Sequence, residues 1–310
     1  MKNKAQNKID SKLVSQSFSK AAVNYEKHAV LQKEVAYRLI EKLDYIKTDP
    51  KVIIDAGCGT GYCTRLLSKK FPKAKITGFD LAPGMVAYAQ SKMPWYRKPF
   101  AHDQYQVADI RELPLEDNSV DFIFSNLSIQ WISDIDLCFQ EWQRILKPGG
   151  LLLFSTFGPD TLFQLKRSWA AVDNDIHVNH FTDMHDLGDS LIQQHFAQPV
   201  MDAEVITTTY DNVKQLLKEL KAIGANNLSS DRAASLTGKN KLQQMFLAYE
   251  QFKTADGWIP ASWEVVYGHA WGGDYQGPKM QDKETFVLSK DLNGSSLAGK
   301  SSQIKYTEAT

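Results

Sequence analysis

Asp55-Ala-Gly57-Cys58-Gly59-Thr-Gly61 follows directly on a short apolar run, Val52-Ile53-Ile54. Glycines at alternate positions let a backbone pass close to a ligand and take conformations closed to other residues. A dinucleotide-binding loop would need G-x-G-x-x-G, and so a glycine at the position held by Tyr62. The acid two residues before the first glycine would repel a pyrophosphate and suits a cationic ligand instead. Asp80 ends the next apolar run, 19 positions after Gly61, where a carboxylate can accept both hydroxyls of a ribose. Asp109 closes a third run, placed to accept from an adenine amino group with Ile110 beside the ring. Each acid taken alone is as readily a solvated turn residue. The three in register favour an adenosyl ligand with a positive tail, a description that S-adenosylmethionine meets with its ammonium and sulfonium.

Such residues converge only if a sheet delivers them to one edge. Strand and helix alternate from 51 to 156: strands at 51–55, 74–80, 105–107, 120–125 and 151–156, and helices at 62–70, 83–91 and 134–146. That rhythm predicts parallel βαβ units with right-handed crossovers, an α/β Rossmann-like fold with helices on both faces of a mostly parallel sheet. Upstream, the apolar spacing from Ala21 to Leu43 predicts one helix, while residues 1–20 read as polar and loose. Downstream, helices are expected at 160–171, 183–195, 213–223 and 239–253, with two last strands at 202–209 and 263–269. The expected organisation is an N-terminal helical lid (1–50), a cofactor-binding core (51–160), a helical cap with the last two strands of the same sheet (161–288), and a polar tail (289–310) expected to be disordered.

Lys and Arg number 36 and Asp and Glu number 36, so the formal net charge is zero and no basic excess points to nucleic acid. The three cysteines, Cys58, Cys63 and Cys138, form no paired framework, and residues 1–19 carry no apolar core of a secretory signal. No apolar run approaches the ~20 residues that span a bilayer. The expectation is a cytoplasmic protein with no membrane or nucleic-acid partner; the oligomeric state is left open.

Residues 51–156 resemble class I S-adenosylmethionine-dependent methyltransferases, in Asp55 to Gly61, in Asp121-Phe-Ile-Phe-Ser-Asn126 and in Leu146-Lys-Pro-Gly-Gly150. The resemblance implies S-adenosyl-L-methionine as cofactor, with Asp55, Gly57, Cys58, Gly59, Gly61, Asp80, Leu81, Met85, Asp109, Ile110, Asn126 and Leu127 around it. The segment after 125 lacks the [DNS]-P-P-[YFW] pattern of nitrogen methylation. A carboxylate acceptor needs no general base, because it is already ionised at pH 7. It needs loss of water, alignment and a cation or donors to hold it.

Phe18-Ser-Lys-Ala-Ala-Val-Asn-Tyr25-Glu-Lys-His28, Phe157-Gly-Pro-Asp160, Phe181-Thr-Asp183-Met-His185-Asp-Leu-Gly188, Leu236-Thr-Gly-Lys239 and Glu264-Val-Val-Tyr267-Gly-His269-Ala-Trp271 are similar to malonyl-acyl-carrier-protein O-methyltransferases. Asn226 and Ala234-Ser235 depart from that pattern. The resemblance implies methylation of the free carboxylate of a malonyl thioester, on acyl carrier protein or coenzyme A, at the start of pimeloyl synthesis for biotin. Tyr25 and Trp131 are candidates to cover the sulfonium. Arg232 and Lys239 are candidates to hold a carboxylate or the carrier's arm, though either could be an ordinary surface residue. Lys166, Arg167, Lys214, Lys218 and Lys221 are candidates for a docking face, a stripe that more often is only solvated. His177, His180 and His185 crowd one segment without a trusted metal spacing, and no metal is expected. The rival readings are a quinone carbon methyltransferase, a trans-aconitate-like carboxyl methyltransferase, and a respiratory-complex assembly factor of related sequence.

Overall fold

The seven strands are β1 (Val52–Ala56), β2 (Lys75–Asp80), β3 (Asp103–Val107), β4 (Val120–Asn126), β5 (Leu146–Phe157), β6 (Ala197–Tyr210) and β7 (Ile259–Trp271). They form one sheet in the order β3-β2-β1-β4-β5-β7-β6. Pairings among β1 to β5 are parallel, and β7 runs antiparallel to both its neighbours. This computed structural model describes residues 9–93, 103–225 and 238–273.

The central strands β1, β4 and β5 carry apolar runs because helices cover both faces. On one face, α2 (Val30–Glu41), α3 (Tyr62–Lys70), α6 (Phe163–Ala170), α8 (Val213–Ala222) and α9 (Lys239–Tyr249) pack over Ile53, Phe122, Phe124, Leu151 and Leu153. On the other, α5 (Ile135–Ile145) and α7 (Met184–Gln193) pack over Ile54, Ile123, Leu152 and Phe154. The helices inserted between the last two strands are α8 and α9. The segment before them divides between the faces, because Leu187 and Leu191 of α7 meet Phe139 and Trp142 of α5. α4 (Pro83–Lys92) starts with proline at its first turn and packs Val86 and Ala89 on Cys58 and Tyr105.

The N-terminal expectation needs correction. The helix begins at residue 11, not 21, because Asp10 caps it by accepting from Lys12 N and Leu13 N. Ala29, at φ −81° and ψ 51°, then divides it into α1 (Ser11–His28) and α2. Residues 9–20 are therefore built structure, with Ile9 and Val14 buried. β5 and β7 also run longer than expected. A register shift lets Leu146 pair with Val120, and Ile259 continues the pairing to Tyr210.

Gly268 of β7 is exposed to a close-packing test. A Cβ there would lie 2.3 Å from Cζ of Phe154 and 3.0 Å from Sδ of Met201. Phe154 is fully buried and has nowhere to retreat. Gly268→Ala should cost about 1–3 kcal/mol of stability, read as a lower urea midpoint with an unchanged slope.

Candidate active site

The sheet's strand order reverses between β1 and β4, so their carboxyl ends open a crevice. The glycine loop forms its floor. Gly57 N and Cys58 N both donate to Phe79 O, at 2.8 and 2.9 Å, which binds the loop to the end of β2. Gly57 sits at φ +78°, and a Cβ on it would lie 2.3 Å from Cβ of Ser128. Gly61, at φ +76°, faces the Tyr105 ring as closely. Neither position tolerates a side chain.

Asp80 crosses from β2 to this loop. Its Oδ2 accepts from Gly59 N and its Oδ1 from Ala82 N, both at 2.8 Å, leaving each oxygen a lone pair for a ligand. Burial pushes its pKa up against the pull of those two bonds. Asp55 is 1% exposed at the end of β1 and accepts from Oγ1 of Thr64 at 2.6 Å. Burial, aided by the Asp80 charge and opposed by the Thr64 bond, raises its pKa to about 7. Among the described residues neither acid has an ion-pair partner. A ligand bringing an ammonium and a sulfonium beside a ribose supplies the missing charge and the missing donors, so the residues present fit S-adenosylmethionine.

The cleft is open to solvent and spans about 720 Å³ with its mouth included. Its wall includes Tyr25, Gly57, Gly59, Asp80, Leu81, Met85, Asp109, Ile110, Asn126, Leu127 and Trp131. Asp55, Cys58 and Gly61 do not line it; they hold the loop from behind. Arg232, with Asn226, Ala234 and Leu236, lies outside the described residues. Lys239 opens α9 at the surface, away from the cleft.

Sequence reading missed Arg111. Its Nε lies 3.0 Å from Oδ1 of Asp109 and its Nη2 2.6 Å from Oδ2, a two-point clamp that lowers the Asp109 pKa. The only available signal was an arginine two residues after the acid. The same guanidinium donates to Oγ of Ser11 at 3.3 Å, tying the acid to α1. Asn126 is committed to structure as well as lining. Its Nδ2 donates to Gln32 O at 3.1 Å and its Oδ1 accepts from Oγ of Ser155 at 2.9 Å. Leu127 takes φ +48°, held by N–H bonds to Ser155 O and Oγ. A strained backbone of this kind persists where neighbours over-determine it.

α1 runs along the cleft and contributes Ser11, Val14, Ser15, Phe18 and Tyr25 to its wall. Ser15 Oγ donates to Leu81 O at 3.0 Å, and Gly84 N donates to Ser19 Oγ at 3.1 Å. The Phe18 ring stands edge-on to Trp131 at 5.2 Å and to Tyr25 at 6.3 Å. Burial and then the Asp80 charge push the Tyr25 phenol up, so it stays neutral.

Trp131 also belongs to a second, apolar pocket, walled by Phe157, Leu162, Leu165, Trp169, His177, Asn179, Phe181, Leu217 and Leu220 among others. Lys166 is not part of an outward basic face. Its Nζ donates to Pro159 O at 2.7 Å and lies over the Phe181 ring, and burial lowers its pKa. His185 is exposed beside Asp183. His177 stacks on Trp169 and bonds Asp173.

Asp80→Ala should remove the acceptor of the ribose hydroxyls. Loss of hydrogen bonds to a charged group, ~1.5–3 kcal/mol, should weaken adenosylmethionine binding roughly tenfold or more in calorimetry of a folded variant. Asp55 predicts a pH effect. Its folded pKa of about 7 lies above the ordinary 3.8, so the folded chain holds an extra proton between these values. Its stabilising contribution is complete at low pH and is lost as pH rises through about 7. Ligand-free wild type should therefore lose stability relative to Asp55→Asn across that window, as followed by urea melts at successive pH values.

A model of the methyltransferase domain family matches residues 54–154. A malonyl-[acyl-carrier protein] O-methyltransferase of Gallionella capsiferriformans is 47% identical over 265 residues, covering 85% of this chain and 91% of that one. Its counterpart in Halorhodospira halophila is 40% identical over 287 residues, covering 92% and 95%. The YcgJ protein of Bacillus subtilis shares the fold at a TM-score of 0.56 and 15% identity, over 77% of this chain and 99% of that one. The α/β sheet seen here is thus the fold of the methyltransferase domain. Likeness over nearly the full length of both curated relatives shows that it belongs to the malonyl-[acyl-carrier protein] O-methyltransferase family.

Proposed function

We propose that this chain methylates the free carboxylate of a malonyl thioester presented by acyl carrier protein, with the coenzyme A thioester as a second substrate. The observation that carries the reading is the shared wall at Trp131. Trp131 lines both the cleft that holds Asp80 and Asp109 and the neighbouring apolar pocket. Such a pocket suits a ligand whose charge is confined to the end that reaches the cleft.

S-adenosylmethionine, when bound, supplies a methyl on a positively charged sulfur. Asp80 would accept from its ribose and Asp109 from its adenine amino group, and Gly57 and Gly59 would let the loop approach its tail. Tyr25 and Trp131 would face the cation from the cleft wall. Phe18 and α1 keep water from the reacting carboxylate, which raises its reactivity. Methyl transfer to a carboxylate would need no proton to move, so the chain's own residues would contribute alignment and exclusion of water. Tyr25 is therefore no base. A carboxylate stripped of water needs a cation. Arg111 is already paired to Asp109; our candidate to hold the substrate is Arg232, chosen for its place in the sequence beside Leu236-Thr-Gly238-Lys239. We place the enzyme in the cytoplasm, where malonyl thioesters form; no helix among the described residues is long and apolar enough to cross a membrane.

Mass spectrometry after mild thioester hydrolysis should find the methyl on the terminal carboxylate. A methyl on carbon or nitrogen, or no transfer while another acceptor turns over, rejects the reading. If Arg232→Ala leaves both KM and turnover for the malonyl thioester untouched, the clamp is wrong though the class stands.

Carrier docking gives a separate expectation. Leu217 and Leu220 of α8 line the apolar pocket, while Lys214, Lys218 and Lys221 of the same helix are exposed. An acidic carrier would meet those lysines at the pocket's edge. The double variant Lys218→Glu, Lys221→Glu should raise KM for malonyl-acyl carrier protein by about tenfold at low salt and leave malonyl-pantetheine unchanged. Equal effects on both would remove α8 from the docking face.

A further inference from the structure

The apolar pocket contains one unanswered polar group. Asn179 is 4% exposed and lies on the pocket wall, and its Oδ1 finds no hydrogen-bond partner among the described residues. A buried acceptor without a donor destabilises a fold. Gln143 Oε1 shares that condition, but Gln143 lines neither the cleft nor this pocket. The other polar side chain on the wall, His177, is spoken for. Its ring lies parallel to Trp169 at 3.7 Å and its Nε2 is 2.7 Å from Oδ1 of Asp173. It offers the pocket a flat face and Asn179 an otherwise apolar setting of Phe157, Trp169, Phe181 and Leu217.

An unmet acceptor asks for a ligand that brings an N–H or O–H donor into an apolar chamber. On the reading proposed above, the acyl end brings none. The malonyl carboxylate is ionised and the thioester carbonyl only accepts. The first donor along the substrate is the amide N–H beyond the two methylenes that follow the sulfur, in the pantetheine arm shared by acyl carrier protein and coenzyme A. A ligand amide also answers both edges of a side-chain carboxamide, so the pairing holds whichever way the Asn179 amide is turned. We infer that Asn179 is a specificity-determining residue, receiving the amide nearest the sulfur of a pantetheine thioester whose methylenes fill the pocket beside Trp169 and Phe181. The enzyme thereby reads the arm as well as the acid, and selects arm-borne malonate over simple esters and free dicarboxylic acids.

The test compares two acceptors with the full-length enzyme: malonyl-pantetheine, and the malonyl thioester of ethanethiol, which has the same acyl group and no N–H. Wild type should show a KM about tenfold lower for malonyl-pantetheine. Asn179→Leu should raise that KM about tenfold, leave the KM of the ethanethiol ester unchanged, and leave turnover at saturation and adenosylmethionine affinity unchanged. Asn179→Ala should give the same loss of discrimination, so that a misfit of the leucine is separable from loss of the amide. Wild-type indifference to the arm, or equal losses on both acceptors, or none on either, would overturn the assignment while leaving the enzyme's class intact. Wild type that methylates neither thioester but turns over another acceptor would instead defeat the underlying reading and this inference with it.

Discussion

Two buried carboxylates with no ion-pair partner among the described residues set the terms of this site. Asp55 and Asp80 sit at the ends of adjacent parallel strands; burial raises the cost of charge on both, and the Asp80 charge adds to that cost at Asp55. The nearby guanidiniums are engaged elsewhere. Arg65 pairs with Glu26 of α1 at 2.7 Å, and Arg111 with Asp109. What the protein does supply is backbone N–H: two donors hold the Asp80 carboxylate in place without neutralising it. Gly59, one of the two donors, takes φ +53°, a left-handed conformation that favours glycine. A cationic nucleoside would complete the electrostatics, and α1, on the cleft wall, is tied down by the pairing of Arg65 with Glu26 and the bond from Arg111 to Ser11.

The reaction assigned to the site explains why so little acid–base machinery surrounds it. Transfer to a carboxylate moves no proton, so the useful contributions are dryness, alignment and one cation for the acceptor. The aromatic edge contacts from Phe18 to Tyr25 and Trp131 serve the first two. A neutral Tyr25 can face a sulfonium without competing for it as a nucleophile, and its raised pKa keeps it so.

The core was legible in the sequence because its signals are local. The strand-and-glycine pattern, the helix 62–70 and the acids at 55, 80 and 109 depend on residues close in the chain, and the sheet sets them at one edge. Three kinds of feature were not legible. The start of α1 depends on a single cap, Asp10, inside a polar stretch with no apolar period. The role of Arg111 depends on a turn that folds it back onto Asp109 two residues earlier. The separation of loop-facing from cleft-facing residues, Asp55 and Cys58 against Gly57 and Gly59, is set by side-chain direction and not by residue type. The lysines divided in the same way: Lys166 turns inward over Phe181, while those of α8 stay outside.

The apolar pocket is fixed from its outer side by charge. Asp173 accepts from His177 on one oxygen and from Lys241 of α9, at 2.8 Å, on the other, and Lys241 first and His177 after it hold the Asp173 pKa down to about 2. Asp175 lies 3.7 Å from the same ammonium. Two carboxylates and an imidazole that gather like metal ligands are thus arranged around a lysine, which supplies the positive charge they need. The mechanical result is a chain of contacts from α9 through Asp173 and His177 to Trp169 of α6. It orients the indole that walls the pocket and leaves the carboxamide two residues after His177 facing inward with its acceptor unmet. One wall of the second chamber is therefore braced by an ion network, built from the part of the chain where the strand–helix rhythm of the sequence had already stopped.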